Sequence, residues 1–546
     1  MTTTHAEPAS PDVEEQDSWV PMIVIAMGQM LMSFNVSALP VSMGGMVESF
    51  NTPPTTVGTA VVMYSLGVSG FIMLGAKLGQ RFGSKLFFQV AVGLFLLAML
   101  TMVVSPTASV MLAGQGLAGF AGAALVPTLV VLIANHYRGR QQAKAVGWLG
   151  SARAMAGVLA FVIVGFVAAI NWRLAFGLLI VHAAAILLLS FKLKPSVGNP
   201  DVKIDVFGVI LSAVAIILIT FGFNNLRNWG VLLAGPMAPF NVLGVSPAPV
   251  MIVIGITFFT AFLYWTHVTA RRGGTPLLSL EVVDAPMEWA AVAALFVIVG
   301  MEGAINFSVP LYIQIVQGSS AAQTSIAMMP FMLTVFFTAI LIVRFYDRFT
   351  PRQIAMGAFT LVAAGTAWLA FVVRNDWTTV PVIIGLITVG LGQGALVTLL
   401  FNVLVTSAPT ALAADVGSLR GVTQNLAAAV GTALVGALLV GLLSVIIIGH
   451  VTDNPVISAE LKDQVNRTNL TFFSDVQLKE RLAETTATPE HLEEALRLNS
   501  DARVRALKTG FLILTGLALM AMLPCLWLPH YRRGEIPAEP TAQERN

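Results

Sequence analysis

The segment LGAKLGQRFGSK, residues 74–85, separates two long apolar runs. Gly79 and Gly83 permit a sharp turn and close backbone approach. Lys77, Arg81 and Lys85 make the segment basic. The neutral Gln80 stands where a carboxylate would pair far better with Arg81. A second segment of the same character, VRFYDRFTPR, occupies residues 343–352. Both carry an Arg-Phe step, Arg81-Phe82 and Arg348-Phe349. If the two are counterparts, the chain is built as an internal repeat, and that reading organises everything around them.

The chain has 546 residues, 56% of them hydrophobic and only 11% charged, with a mean hydropathy of +0.82. Soluble domains carry about 25% charged residues. A chain this poor in charge cannot cover its own surface with polar groups, so lipid must cover it. The net charge of +2 gives no reason to expect nucleic acid. Cys525 is the single cysteine, so there is no disulfide framework. The polar, acidic start MTTTHAEPASPDVEEQDSW lacks the pattern of a cleavable signal and reads as a disordered tail.

Fourteen apolar segments are each about 20 residues or longer, enough to cross about 30 Å of hydrocarbon. They fall near 19–41, 56–77, 86–105, 108–134, 145–170, 173–193, 206–224, 248–268, 287–316, 323–345, 354–373, 380–406, 417–449 and 506–529. Lys and Arg cluster after the even-numbered ones, except the twelfth, whose connection carries none. Lys77, Arg81 and Lys85 follow the second; Arg138, Arg140 and Lys144 the fourth; Lys192, Lys194 and Lys203 the sixth. Arg271 and Arg272 follow the eighth; Arg344, Arg348 and Arg352 the tenth; Arg532 and Arg533 the last. Basic charge marks the cytoplasmic side, so both termini are expected there, in a plasma (inner) membrane.

This spacing predicts an all-α membrane protein with fourteen transmembrane helices: two six-helix bundles and two inserted helices. The expected division is a tail at 1–18, a first bundle at 19–193, a linker with two helices at 194–275, a second bundle at 276–529 and a tail at 530–546. Repeats of this kind mark secondary transporters, whose substrate site lies between the halves near mid-membrane. Residues 450–505 read as a soluble extracytoplasmic insertion, with a helix start at Thr488-Pro489 and a partial apolar stripe at Leu492, Leu496 and Leu498. It is either a lid or partner-docking element, or a solvated helical hairpin.

These residues resemble the major facilitator superfamily, and within it the fourteen-helix drug:proton antiporters, over about residues 20–445 and the last segment. In that superfamily the loop after helix 2 reads G-x-L-A-D-R-x-G-R-K; here it is Ala76-Lys77-Leu78-Gly79-Gln80-Arg81-Phe82-Gly83-Ser84-Lys85. Gln314, Gly318 and Pro330 within residues 307–330 resemble the stretch around helix 9. Gly417 to Gly431 is similar to helix 13, and Trp172-Arg173 to the pair opening helix 6. The chain departs from the family at four places. The loop Asp is Gln80. The helix 4 pattern R-x-x-Q-G keeps only Gln115-Gly116. The helix 1 Asp falls at Leu31, and the helix 5 Gly-Pro falls at Leu159-Ala160, near Gly157. The resemblance implies alternating access, with the loops at 77–85 and 344–352 as a gate that includes Gly79, Gln80, Arg81, Gly83, Lys85, Asp347 and Arg348.

Few ionisable groups remain inside the bilayer, where they are costly and by default suggest function. Glu302 lies near the middle of the ninth segment in GMEGAINF, with Asn306 one turn on along the same face. It is a candidate to take up and release a proton, or to pair with a cationic substrate. Gly300 and Gly303 beside it allow a bend or a close substrate approach. Arg153 lies about 12 Å into the fifth segment at 1.5 Å per residue. It either faces the cavity, binding an anion or pairing with Glu302, or snorkels. Arg420, just inside the thirteenth segment, is expected to snorkel. Asn35, Gln115 and Gln393 are pocket candidates; Asn402, Gln424 and Asn425 read as helix–helix hydrogen-bonding groups. Met27, Met30, Met32, Met43 and Met46 suit either a pocket for varied apolar ligands or lipid packing. His182 reads as structural.

There is no phosphate-binding loop, metal-ligand cluster or nucleophile constellation in the sequence, so no cofactor, no metal, no ATP drive and no enzymatic activity are expected. The expected partners are the bilayer, a small molecule and protons. The leading expectation is an exporter of small amphipathic, drug-like compounds. The alternatives are an uncoupled facilitator or lipid/metabolite flippase, and a non-transporting membrane partner or sensor.

Overall fold

A computed structural model describes residues 18–52, 54–167, 170–235, 237–317, 321–374, 379–453, 478–479 and 489–530. The expected tails and the middle of the 450–505 insertion lie outside these residues, as do Gly318 and the side chains of Arg140 and Gln314.

Among the described residues, fourteen helices are long and apolar enough to cross a membrane. They are α1 (Val20–Val41), α2 (Pro54–Phe82), α3 (Ser84–Val104), α4 (Ala108–His136), α5 (Gly139–Leu159), α6 (Trp172–Ser190), α7 (Val206–Trp229), α8 (Pro247–Arg271), α9 (Pro286–Leu311), α10 (Ala321–Leu341), α11 (Pro351–Val372), α12 (Thr379–Ser407), α13 (Ala413–Asp453) and α14 (Pro489–Met520). The only β-structure among the described residues is a pair of isolated bridges between α7 and α8. Helices dominate because hydrocarbon offers no partner for backbone polar groups, and a helix satisfies them within one segment.

Helix ends follow local chemistry. Asn171 caps α6 through the Arg173 amide, Asp205 caps α7 through Gly208, and Thr350 and Gln353 form a capping box on α11. Two helices loosen into π-turns, α5 at Ala160–Val164 and α9 at Tyr312–Val316. The first lies where the family's Gly-Pro would fall, so α5 deforms there without a proline. Such turns are frequent at functional sites.

The packing repeats. In the first half α1 packs on α4, α5 and α6, α4 on α2 and α3, and α3 on α6. In the second half α9 packs on α12, α13 and α14, α12 on α10 and α11, and α11 on α14. Adding eight to each helix number maps one set onto the other. The halves meet through α2 and α4 on α13, and through α10 and α12 on α5. The extra pair α7 and α8 packs mainly on itself, with α7 lying against α2 and α13.

Three expectations change. The segment 74–85 is not a loop: α2 runs through to Phe82, and the reversal happens at Gly83 alone, with φ of +88°. A side chain there would collide with the Ser196 carbonyl of the chain after α6. Gly300 and Gly303 do not open a path for substrate; they let α9 press against Gly431, Ala428 and Thr432 of α13. The helix that starts at Pro489 inside the insertion is not a separate one: it runs on through Met520 into the last span, and α13 continues to Asp453.

Candidate functional site

A cavity of about 400 Å³ opens between the halves. It is walled by α1, α2, α4 and α5 from one half and by α9, α10, α12 and α13 from the other. Apolar walls come from Val36, Val61, Phe331, Met332 and Val335. Of the predicted site residues, Glu302, Asn306, Arg153 and Gln393 all line it.

Arg153 on α5 donates from Nη2 to Oε1 of Glu302 on α9 at 3.0 Å. Gln393 on α12 donates from Nε2 to Oε2 of the same carboxylate at 2.9 Å. Both oxygens are therefore engaged, and the ion pair ties one half of the molecule to the other. The side chains retain 31% and 15% of their exposure, so the pair faces the cavity rather than a sealed core. Asn306 is exposed on the same wall.

Asn35 and Gln115 do not belong to this cavity. Both are fully buried between α1 and α4, and they bond each other reciprocally, Asn35 Nδ2 to Gln115 Oε1 at 3.0 Å and Gln115 Nε2 to Asn35 Oδ1 at 3.1 Å. Two complementary amides in apolar surroundings satisfy one another, which removes them from ligand binding. His182 bonds the Met27 carbonyl, a structural role.

Arg420 does not snorkel. It is only 4% exposed, it lines the cavity, and its guanidinium sits 4.1 Å above the Phe401 ring. Gln424, one turn on, lines the same wall.

At the end bearing the basic turns, Lys77 of α2 meets Asp415 of α13, with Nζ to Oδ1 at 3.1 Å. Their side chains are 6% and 1% exposed. Gln80 Nε2 and the Ser279 amide also donate to this carboxylate, each at 3.3 Å. The carboxylate missing beside Arg81 thus comes from the opposite half. Gly79 packs on Phe87. Arg81 reaches the Val202 carbonyl, and Lys85 holds the Phe191 and Leu193 carbonyls at the end of α6. Arg81 and Lys85 therefore bind backbone just beyond their own half's last helix and do not bridge the halves. Asp347 and Arg348 are exposed. At the counterpart crossing, Asn402 of α12 donates to Tyr346 Oη at 3.2 Å and to the Ala143 carbonyl of α5 at 3.4 Å.

Residues 25–432 match the model of the Major Facilitator Superfamily. The chain belongs to that superfamily. It is similar to MdtD of Pectobacterium atrosepticum, which carries a provisional multidrug-resistance assignment, at 23% identity over 76% of this chain and 86% of MdtD. It is also similar to the multidrug efflux pump LfrA of Mycolicibacterium smegmatis, at 23% identity over 77% of this chain and 81% of LfrA. Among solved structures, the proton:xylose symporter XylE superimposes with a TM-score of 0.56 at 12% identity, over 92% of this chain and 94% of that one. As a superfamily member the chain is a multi-pass membrane transporter, not an enzyme, that acts on small molecules in a bilayer. Its fourteen spans and its relatives agree with the drug-transporter branch.

Asp415 escaped the sequence reading, and Arg420 was expected at the interface rather than in the cavity. Asp415 lies just outside the apolar run at 417–449, so it reads as loop, and only the neutrality of Gln80 hints that a carboxylate must arrive from elsewhere. Arg420 sits at a depth from which a long side chain usually reaches the interface.

Proposed function

We propose that this superfamily member exports a small amphipathic compound by alternating access, with proton coupling through Glu302. The observation that carries this reading is the Arg153–Glu302 pair, which crosses the cavity from one half to the other. While charged, Glu302 holds both Arg153 and Gln393. A proton on the carboxylate cancels the charge that binds Arg153 and loosens the tie, so proton occupancy biases how the halves sit. MdtD and LfrA support the direction, being assigned to multidrug resistance and efflux. In this reading the basic turns face the cytoplasm, as do both termini, and Lys77–Asp415 ties the halves together on that side.

Reconstitution in proteoliposomes tests this. Wild-type protein is expected to move substrate against its gradient when a pH gradient is imposed, and a protonophore abolishes that accumulation. Glu302→Gln is expected to retain exchange down a gradient and lose the pH-driven component. Unchanged coupling in that variant removes Glu302 from the mechanism. Insensitivity of wild-type transport to the protonophore would instead establish an uncoupled facilitator. An extracytoplasmic partner of the insertion is a separate proposal: its test is deletion of residues 454–488, and full transport in the deleted protein counts against it.

A further inference from the structure

The charges in the cavity do not balance. Two guanidiniums, Arg153 and Arg420, and one carboxylate, Glu302, line it. Arg153 is matched by Glu302 at 3.0 Å. Arg420 has no carboxylate within reach and no hydrogen bond among the described residues; its contact is the face of Phe401.

An arginine 96% withdrawn from solvent and not paired with an acid is expensive to hold. The quadrupole of Phe401 offsets part of that cost. The rest stays available to any anion entering the cavity, which would gain a charge-assisted hydrogen bond in a poorly hydrated space. Gln424 stands one turn along α13, on the same wall, and its amide has no partner among the described residues. The two side chains therefore present a fork of unengaged donors. Phe331, Met332 and Val335 of α10 line the same cavity and offer only apolar surface. Glu302, by contrast, is already matched: Arg153 donates to one of its oxygens and Gln393 to the other.

We infer that Arg420 and Gln424 form an anion-binding subsite, and that the substrates of this transporter are amphipathic organic anions. The carboxylate or sulfonate head lies on Arg420 and Gln424, and the apolar body lies along α10. Arg153 is not the anchor, because its charge is spent on Glu302. This rests on the cavity being the transport site, as proposed above.

The test is equilibrium binding to full-length protein in lipid nanodiscs, with empty nanodiscs subtracted. The probes share one ring system: anilinonaphthalene sulfonate as the anion, phenylnaphthylamine as its neutral analogue, and a trimethylammonium derivative as the cation. The anion is expected to bind saturably and at least about tenfold more tightly than the other two. Arg420→Gln is expected to erase that difference while leaving the neutral compound bound, and Arg420→Lys to keep part of it. Equal or tighter binding of the neutral or cationic probe overturns the inference. So does absence of saturable anion binding, or an unchanged preference in Arg420→Gln. Should Arg420→Gln lose all three probes, Arg420→Lys decides: a retained preference for the anion supports the subsite, and its loss overturns it. Binding needs neither gradient nor turnover, so its outcome is separate from that of the proteoliposome experiment.

Discussion

Glu302 illustrates how little a buried acid can be understood alone. Its chemistry depends on Arg153 and Gln393, which come from helices distant in the chain. A double-mutant cycle should expose that dependence. Arg153→Gln and Glu302→Gln each leave a polar partner unmatched, whereas the double variant leaves none. The expected coupling is about 1–2 kcal/mol, read from thermal unfolding of the four proteins in one detergent. Additive effects would mean that the pair contributes nothing to stability. Gly83 makes the same point for backbone. Its φ of +88° and the adjacent Ser196 carbonyl exclude a side chain. Gly83→Ala is expected to cost about 1–3 kcal/mol, seen as a lowered unfolding temperature.

At the level of elements, the turn after α2 and the start of α13 form one device. A buried ion pair is a weak source of stability, yet removing one partner strands the other charge at a cost of about 3–5 kcal/mol. Asp415→Asn strands Lys77 only while the halves are closed at that end. The population should therefore shift toward conformers open there. With Cys525 replaced by Ala, a cysteine introduced at the buried Ala414 reports this. Its labelling rate by a membrane-impermeant maleimide in inside-out vesicles should rise severalfold in Asp415→Asn. Lys77→Gln combined with Asp415→Asn should be milder than Asp415→Asn alone, because no charge is stranded. Equal labelling in all variants would show that the pair does not latch.

For the whole molecule, the recurring pairings of α1–α6 in α9–α14 explain why a cavity forms at all. Each half packs its own helices closely, and the halves also press together, Gly147 on Ala339 and Gly417 on Pro127, around the polar groups that cross between them. Orientation is an independent property, set by where Lys and Arg fall. A fluorescent protein fused after residue 546 should glow and an alkaline phosphatase fused there should stay inactive, as both report a cytoplasmic end. The reverse pattern would invert the proposed direction of access without touching the fold.

The number of spans, their grouping into two related halves, the inserted pair and the superfamily were legible in the sequence. Each depends on composition over about 20 residues or on short-range motifs, and hydrocarbon leaves such a segment only the helical solution. The same reasoning marked Glu302, Arg153 and Gln393, because polar groups in apolar helices are few. It misassigned Asn35 and Gln115, sent Arg420 to the interface and passed over Asp415. Whether an amide meets another amide, or a carboxylate meets Lys77, depends on which helix faces lie together across the fold. A pairing between residues hundreds of positions apart carries no local signal, so only the tertiary structure decided which charges are matched and which one is left facing the cavity.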